Sequence, residues 1–474
     1  MKDNFILLVF SLLFIFFSFV LYFSISSIPP YQDIDSKAYI YNAKRIYDNN
    51  LFSSVASKKD DPYYALGYAF FIGLIYKLFG INNNFVVFIQ ILLALLTGFL
   101  VFRATKFLFN KTIALISFIF FSFNIGFLVF SQFILTEILL TFLLALFFER
   151  FAYFLKKDSI SSLIQSGLIL GISVAVKPAA IYFIFPLFFL ILFMNRSFSG
   201  FVNKAILLKS EEKLSSEDLF LIKNKLFYKI KLIFFLSVSF YLPIIGYMFF
   251  NKINFDNFSV APLANENLYL YLFPKVIAYK NNTDWIIEKR KIGSLLTGSK
   301  LNEKSWSKIK EKFYEYFKKD PIIFLQIWLK NVFKTCVGLF TTNLKVLIER
   351  DVKGGDISFF KMEGNFFKRI FDYITCGTKN PLIKIVGVFE AIWSVLRYIL
   401  CLIALFFLVF KKKWLTFFFF FFYLFYFSMI TGHDGCARFR MMFEPVLLVL
   451  ASFGLWVIVR AYMKTQIILQ RRSS

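Results

Sequence analysis

The chain has 474 residues, of which 58% are apolar and only 18% are charged, and its mean hydropathy is +0.66. Soluble domains are about 45 to 50% apolar, and so large an excess of apolar surface would aggregate in water. The composition therefore excludes an ordinary soluble enzyme and predicts an all-α polytopic membrane protein. The formal net charge of +26 favours anionic partners, and because nothing resembles a DNA-reading module, we expect membrane lipids and no nucleic acid.

Ten apolar runs predict about ten transmembrane helices, since about 20 residues cross a hydrocarbon core of roughly 30 Å. The first run is too long for the apolar part of a secretory signal, so we interpret it as an uncleaved span. The ten runs are 5–27, 84–102, 112–130, 133–149, 163–177, 179–195, 231–250, 388–410, 414–431 and 442–459.

Basic residues predict the orientation, because Lys and Arg collect in short cytoplasmic loops. With a cytoplasmic N-terminus, the loops that contain Arg103, Arg150 and Lys411 and the tail that begins at Arg460 all lie on the cytoplasmic side. Both termini are then cytoplasmic, and the protein is expected in the inner (plasma) membrane of the cell.

Two further apolar stretches, 63–79 and 321–341, interrupt this pattern. Counting either one alone as a span would invert every later basic loop, so we predict amphipathic helices at the outer interface. A re-entrant or paired span is the alternative. The predicted regions are a transmembrane region, 1–250, that contains a first extracytoplasmic catalytic loop, 28–83; an extracytoplasmic or interfacial segment, 251–387; and a transmembrane region with a basic cytoplasmic tail, 388–474.

Ionisable residues are rare in or beside the predicted spans, where each costs about 2.5 to 3.5 kcal/mol to insert. Most of them gather at the predicted outer face, which indicates one site for a charged substrate carried by a lipid. These residues are Asp33, Asp35, Glu137, Lys177, His433, Asp434, Arg438 and Arg440. Glu390 and Arg397, both inside the eighth predicted span, are interpreted as an internal pair without a known role.

Each residue of the outer group also has a structural interpretation. The two aspartates suit caps for a helix that starts at Ser36, Glu137 can sit in water at a helix end, and Lys177 can reach the headgroups. The two arginines suit outer-leaflet anchors. A single His supports no metal site, so a structural role is favoured for His433, and the four cysteines show no metal-ligand spacing.

Five short motifs occur in an order that is known from one enzyme family. They are Asp35-Ser36-Lys37-Ala38-Tyr39 with Ala43, Pro62-Tyr63-Tyr64 followed by Leu78-Phe79-Gly80, Thr136-Glu137, Gly167 and Gly171 before Lys177-Pro178, and Arg438-Phe439-Arg440 with Pro445. Together they resemble the polyprenyl-phosphate-dependent GT-C glycosyltransferases, a group similar to protein O-mannosyltransferases and the lipid A aminoarabinose transferase. The resemblance covers about residues 1–195 and 430–460. Family members commonly carry an acidic residue beside the signature Asp, where this chain has Ser36.

The resemblance implies a GT-C-like helical bundle that transfers a hexosyl or pentosyl group from a polyprenyl-phosphate donor. The acceptor is a lipid, glycan or protein hydroxyl on the extracytoplasmic face, and Asp35, or else Asp33, is the expected general base. No cofactor and no catalytic metal is expected, since the lipid-linked sugar is a co-substrate. The residues expected to bind substrate, with cations on the phosphate, are Lys177, Arg438, Arg440, Glu137, Tyr39, Tyr63 and His433.

Two other classes of function stay open at this point. A lipid-linked glycan flippase or another transporter would line a path through the membrane midplane with charged residues, whereas the charges here gather at one face. A surface-glycan polymerase or ligase would use the same chemistry at the outer face.

Overall fold

The structure is a computed structural model, and the residues that it describes are 2–25, 34–48, 65–194, 216–260, 267–297, 303–349, 362 and 364–473. Every regular element within these residues is a helix. Seven of the helices are long and apolar enough to cross a membrane. The predicted fold class, an all-α polytopic membrane protein, is confirmed.

The N-terminal half of the described chain begins several of its helices with a polar cap. Asn82, Asn110, Asn124 and Ser159 each accept a backbone N–H hydrogen bond at a helix start, as N-cap residues do. The helices are α1 Lys2–Ile25, α2 Ile34–Tyr47, α3 Gly67–Phe79, α4 Asn83–Leu108, α5 Lys111–Ser122, α6 Ile125–Phe130, α7 Glu137–Lys157, α8 Ile160–Val176, α9 Ile184–Phe193 and α10 Ser216–Phe255.

The C-terminal half contains six helices of 9 to 17 residues, followed by two helices of 30 residues with a helix of 16 residues between them. Pro321 and Pro381 stand at the first position of their helices, where the missing N–H of proline costs nothing. The helices are α11 Phe273–Asn281, α12 Trp285–Thr297, α13 Glu303–Lys319, α14 Pro321–Val337, α15 Thr341–Glu349, α16 Phe366–Ile374, α17 Pro381–Phe410, α18 Trp414–Met429 and α19 Glu444–Ser473. Three 3₁₀ helices, Pro178–Phe183, Ile430–His433 and Ala437–Met442, and a π-helical turn, Leu268–Leu272, complete the described helical elements.

Seven of the ten predicted spans coincide with single helices of membrane length. These helical segments are Asp3–Ser24, Asn83–Leu108, Glu137–Lys157, Leu226–Phe255, Pro381–Phe410, Trp414–His433 and Glu444–Ile467. The other three predicted spans, 112–130, 163–177 and 179–195, fall on shorter apolar helices. The count of ten therefore stays a prediction, as do the predicted domain boundaries.

The prediction of one continuous helix over 112–130 is wrong. Helix α5 ends at Ser122 and α6 begins at Ile125, because the side chain of Asn124 accepts the Phe127 N–H at 3.4 Å and starts a new helix there. One Asn hardly changes the hydropathy of an apolar run, yet it is among the strongest helix-starting residues. Hydropathy alone therefore missed the break.

The two stretches assigned to the outer interface differ from each other. Helix α3, within 63–79, has 13 residues and rises about 20 Å, which is too short to span, so its interfacial placement stays a prediction. Helices α14 and α15, which cover 321–341 and beyond, are together apolar enough to span but meet at a 70° bend. That bend is the geometry of a broken span or a re-entrant loop, which was the alternative interpretation.

Helix α7 is the most buried of the long helices. Two thirds of its apolar window, 67%, is buried inside the protein, against 17% for α1. Helix α8 lies beside it and approaches α10 closely: a Cβ on Gly171 would be 2.3 Å from the carbonyl oxygen of Phe240. Small residues permit such approaches between membrane helices. Since Glu137 is the first residue of α7 and Lys177 follows α8, this packing fixes where both side chains start.

Candidate active site

Four charged residues from distant parts of the chain meet in one place, and we call them the ion-pair cluster. Asp35 lies in the first turn of α2, Glu137 is the first residue of α7, and Lys177 directly follows α8. Arg438 lies in the 3₁₀ helix Ala437–Met442. All four were singled out from the sequence, and the structure brings them together.

The cluster is a continuous chain of contacts. Arg438 Nη2 donates to Asp35 Oδ2 at 2.9 Å, and Arg438 Nε lies 3.5 Å from Glu137 Oε1. Lys177 Nζ donates to the same Glu137 oxygen at 3.3 Å. Two cations therefore share one buried carboxylate oxygen, while the second carboxylate holds Arg438 from another direction.

The four side chains differ in exposure. Glu137 is 4% exposed, whereas the side chains of Asp35, Lys177 and Arg438 are 22 to 25% exposed. Burial opposes the charge on Arg438, but the carboxylates of Glu137 and Asp35 outweigh it and raise the pKa of its guanidinium well above the usual value. The cluster thus holds two basic side chains, each a little under a quarter exposed, against a buried acid.

Phe439 forms one wall beside the cations. Its ring centroid lies 4.5 Å from Lys177 Nζ and 5.3 Å from the guanidinium carbon of Arg438, distances typical of cation–π contacts. The ring of His433 lies 5.5 Å away from the same ring, and its Nδ1 lies 3.0 Å from the carbonyl oxygen of Ile430. His433 thus packs against Phe439, and its role in substrate binding stays a prediction.

The predicted aromatic residues are only partly described. Tyr39 follows Asp35 by one helical turn, is 9% exposed, and packs edge-on against Tyr68 with ring centroids 5.1 Å apart. Tyr68 in turn donates its hydroxyl hydrogen to Gln90 Oε1 at 2.6 Å. Asp33 and Tyr63 lie outside the described residues, so the alternative base and one predicted substrate contact remain predictions.

Arg440 lies in a different network from Arg438, although only one residue separates them. It is fully buried, and its Nε and Nη2 contact Glu444 and Glu390. Arg397 pairs with Glu444. The interpretation of Glu390 and Arg397 as partners is therefore wrong, because each binds a residue of the C-terminal region instead.

The structure also adds a residue that sequence reasoning missed. Lys275 of α11 donates to the Asp434 carboxylate at 2.9 Å and to the Asp434 carbonyl at 2.5 Å, beside the loop that leads to Arg438. Burial raises the pKa of Asp434, but Lys275 outweighs this effect and holds the pKa below its usual value. No motif or spacing in the sequence distinguishes Lys275 from the other lysines of this basic segment.

No metal-binding arrangement is apparent within the described part of the chain: no three or more His, Cys, Asp or Glu side chains converge there. The carboxylates of Asp35 and Glu137 are both engaged by cations. The expectation of chemistry without a cofactor stays a prediction.

Residues 61–208 match the family model described as dolichyl-phosphate-mannose-protein mannosyltransferase. This range includes Glu137 and Lys177 but neither Asp35 nor Arg438. A comparison with curated protein sequences gives no match.

Two similar solved structures are both of an oligosaccharyltransferase from Archaeoglobus fulgidus. One is the archaeal oligosaccharyltransferase AglB in complex with an inhibitory peptide and a dolichol-phosphate, with a TM-score of 0.50 and 13% identity. The other is the crystal structure of the apo form, with a TM-score of 0.52 and 12% identity. In both cases the match covers 99% of this chain and 52% of the other, so this chain spans about half the length of the matched structures. The resemblance to GT-C enzymes is confirmed: the chain is a multi-pass membrane protein with the GT-C fold, and part of it matches the mannosyltransferase family model.

Proposed function

We propose that the protein is a membrane glycosyltransferase that moves a sugar from a polyprenyl-phosphate donor to a hydroxyl group of a lipid, glycan or protein. The ion-pair cluster is the observation that carries this proposal, because it joins a candidate base to two cations at one accessible place. We place the cluster on the extracytoplasmic face of the membrane, in line with the orientation predicted from the basic loops.

Lys177 and Arg438 supply the positive charge that stabilises the leaving phosphate of this reaction. As the bond between the anomeric carbon and the phosphate oxygen breaks, a phosphodiester becomes a polyprenyl monophosphate and gains negative charge. Cations at that oxygen stabilise the transition state more than the ground state. Arg438 offers a planar fork of donors for phosphate oxygens, and Lys177 offers a point charge.

We assign Asp35 as the general base. The acceptor oxygen forms its bond to the anomeric carbon while its proton passes to the carboxylate, a contribution of about 10²- to 10⁴-fold. Asp35 accepts a hydrogen bond from Arg438 at 2.9 Å. A donor phosphate that engages Arg438 competes with this bond and turns the carboxylate towards the acceptor.

Glu137 orients the cations and also contacts the sugar. Its Oε1 is shared by Lys177 and Arg438, whereas its Oε2 is buried without a hydrogen-bond partner among the described residues. Buried polar atoms normally have partners. A sugar hydroxyl that donates to Oε2 would supply one.

The buried charges inside the bundle argue against the transporter alternative. A transport path needs charged residues that face a water-filled route across the midplane. Glu390, Arg397, Arg440 and Glu444 are instead at most 3% exposed and paired with one another. They form closed contacts rather than the lining of a path.

The first experiment identifies the substrates. Lipids, glycans and glycoproteins from cells with and without the gene are compared by mass spectrometry, and the sugar that disappears defines the labelled polyprenyl-phosphate donor for an assay with the purified protein in liposomes. If no glycan or glycolipid changes and no donor in a panel of polyprenyl-phosphate hexoses and pentoses is used, the proposal is wrong.

The second experiment tests the base. Asp35→Asn keeps the shape of the side chain, and we expect kcat to fall by about 10²- to 10⁴-fold while the KM for the donor changes little. The matched control is Asp320→Asn, which removes a carboxylate of 28% exposure from an ion pair with Lys280, outside the cluster. Wild-type transfer rates in both Asp35→Asn and Asp33→Asn would refute the assignment of the base to either residue.

A further inference from the structure

A second set of charged residues lies inside the bundle and takes no part in the chemistry proposed above. We call it the buried quartet: Glu390 and Arg397 of α17, Arg440 of the 3₁₀ helix Ala437–Met442, and Glu444 of α19. None of them is more than 3% exposed. Two acids and two bases make the set neutral.

Arg440 contacts both acids of the quartet. Its Nε donates to Glu444 Oε2 at 3.1 Å, and its Nη2 donates to Glu390 Oε1 at 3.3 Å. Its Nη1 donates to the carbonyl oxygens of Cys336 at 3.0 Å and Gly338 at 2.5 Å. Arg440 thus binds one carbonyl group in the last turn of α14 and that of the residue directly after the helix, at the point where the chain bends towards α15.

Glu390 binds the other side of the same bend. Its Oε1 accepts the Phe340 N–H at 2.7 Å, and its Oε2 accepts the Thr341 N–H at 2.8 Å and the Thr341 hydroxyl at 2.5 Å. A carboxylate that accepts several N–H bonds at a helix start satisfies its free donors and complements its dipole. Glu390 and Arg440 together hold both arms of the 70° bend.

Stability alone does not account for the quartet. Burying charges in an apolar interior costs several kcal/mol per ion, and apolar residues of similar volume are often as stable or more so. The arrangement is also incompletely satisfied, because Arg397 Nε and Nη2 have no hydrogen-bond partner among the described residues. What the quartet does provide is a fixed position for the elements it joins.

One of these elements carries Arg438. A 3₁₀ helix has three residues per turn, so residues 438 and 440, two positions apart, point to different sides of the turn Ala437–Met442. Arg438 reaches the ion-pair cluster, whereas Arg440 anchors the opposite side in the bundle. The turn is also held by the Thr141 hydroxyl, which donates to the Met441 carbonyl at 3.1 Å.

We propose that the buried quartet positions Arg438 for the donor phosphate, and that Arg440 and Glu390 are positioning residues rather than phosphate ligands. The inference rests on the proposed function for the role of Arg438. Independently of that function, the quartet fixes the position of the turn Ala437–Met442.

The test uses two variants of the full-length protein, Glu390→Gln and Arg440→Lys, with Thr341→Val as a milder change that removes only the hydroxyl bond to Glu390. Alkylation of Cys436, the residue directly before the turn, is followed by mass spectrometry with the buried Cys401 as internal reference. We expect faster alkylation of Cys436. We also expect donor transfer to fall on the order of 10²-fold, as for a displacement of about 1 Å, with a raised KM for the donor.

The matched control is Glu149→Gln, which removes a fully buried carboxylate paired with Arg103 and Arg150, at a distance from the turn. It is expected to lower the melting temperature without changing Cys436 alkylation or transfer. The inference is overturned if the quartet variants and Thr341→Val alkylate and transfer like this control. If the wild type transfers no sugar, the proposed function fails, while Cys436 alkylation still decides whether the quartet holds the turn.

Discussion

Arg438 is the residue whose replacement tests the proposed phosphate site most directly. Its guanidinium makes a 2.9 Å hydrogen bond to Asp35 and a 3.5 Å ion pair with Glu137 through different nitrogens. In Arg438→Ala both carboxylates remain, and only Lys177 is left to meet the charge that develops on the leaving phosphate. Donor use is therefore expected to fall.

The size of the loss follows from the bonds that are removed. One hydrogen bond to a charged group is worth about 1.5 to 3 kcal/mol, and 1.4 kcal/mol corresponds to about a tenfold change. For Arg438→Ala we expect kcat/KM for the donor to fall by about 10- to 100-fold per lost phosphate contact. Arg438→Lys keeps the charge, but an ammonium group cannot span two partners as the planar fork does, so a smaller loss, about tenfold, is expected.

The assay is transfer from labelled donor at several donor concentrations, so that kcat and KM are separated. Arg150→Ala is the control, because Arg150 also pairs with a buried glutamate of α7, Glu149, and its side chain is 26% exposed. This variant should lose stability without losing donor affinity. If Arg438→Ala keeps wild-type kcat and KM for the donor, Arg438 does not belong to the phosphate site.

Two further predictions concern the scaffold around the site. Gly171→Ala places a Cβ 2.3 Å from the Phe240 carbonyl oxygen and is expected to cost about 1 to 3 kcal/mol, whereas Gly246→Ala, which meets no atom within 4 Å, should stabilise by up to about 1 kcal/mol; thermal unfolding in detergent compares the two. The bond between Asp434 and Lys275 should stabilise fully at neutral pH and be lost as pH falls through the Asp434 pKa, which lies below its usual 3.8. The difference in melting temperature between wild type and Asp434→Asn should therefore shrink from pH 7 to pH 3, and a constant difference would contradict the assignment.

The long spans were predictable because the energy that defines them is local. A run of apolar residues long enough to cross the hydrocarbon is recognised by counting, and α1, α4 and α19 were found in this way. Helix breaks were harder to find, because a single side chain such as Asn124 decides them. At the bend between α14 and α15 the N–H groups of Phe340 and Thr341 donate to Glu390, which is 50 residues away from Phe340, so no local sequence pattern predicts the bend.

Part of the site was predictable for a different reason. The expectation that Asp35, Glu137, Lys177 and Arg438 lie close together required only the span count and the cost of charge in lipid, and the structure brings these four side chains into contact. The sequence did not predict which charged residues pair inside the bundle. Glu390 and Arg397 lie seven residues apart on one helix, a rise of about 10.5 Å, and this separation disfavours a direct pair. Their partners are Arg440 of the 3₁₀ helix Ala437–Met442 and Glu444 of α19, and no local sequence pattern predicts that these elements pack against α17.

The turn Ala437–Met442 connects the ion-pair cluster with the buried quartet. A short 3₁₀ helix can present neighbouring arginines to two different environments, one open to ligand and one sealed in the bundle, because its side chains leave the axis at about 120° intervals. Arg438 is 22% exposed and Arg440 is fully buried. Two arginines in an R-x-R pattern therefore need not share a role: a phosphate contact requires access, whereas a position that holds the backbone requires burial. Under the proposed function Arg438 makes the phosphate contact and Arg440 holds the turn, so substitution at either arginine should reduce donor use, while only substitution of Arg440 should also loosen the turn.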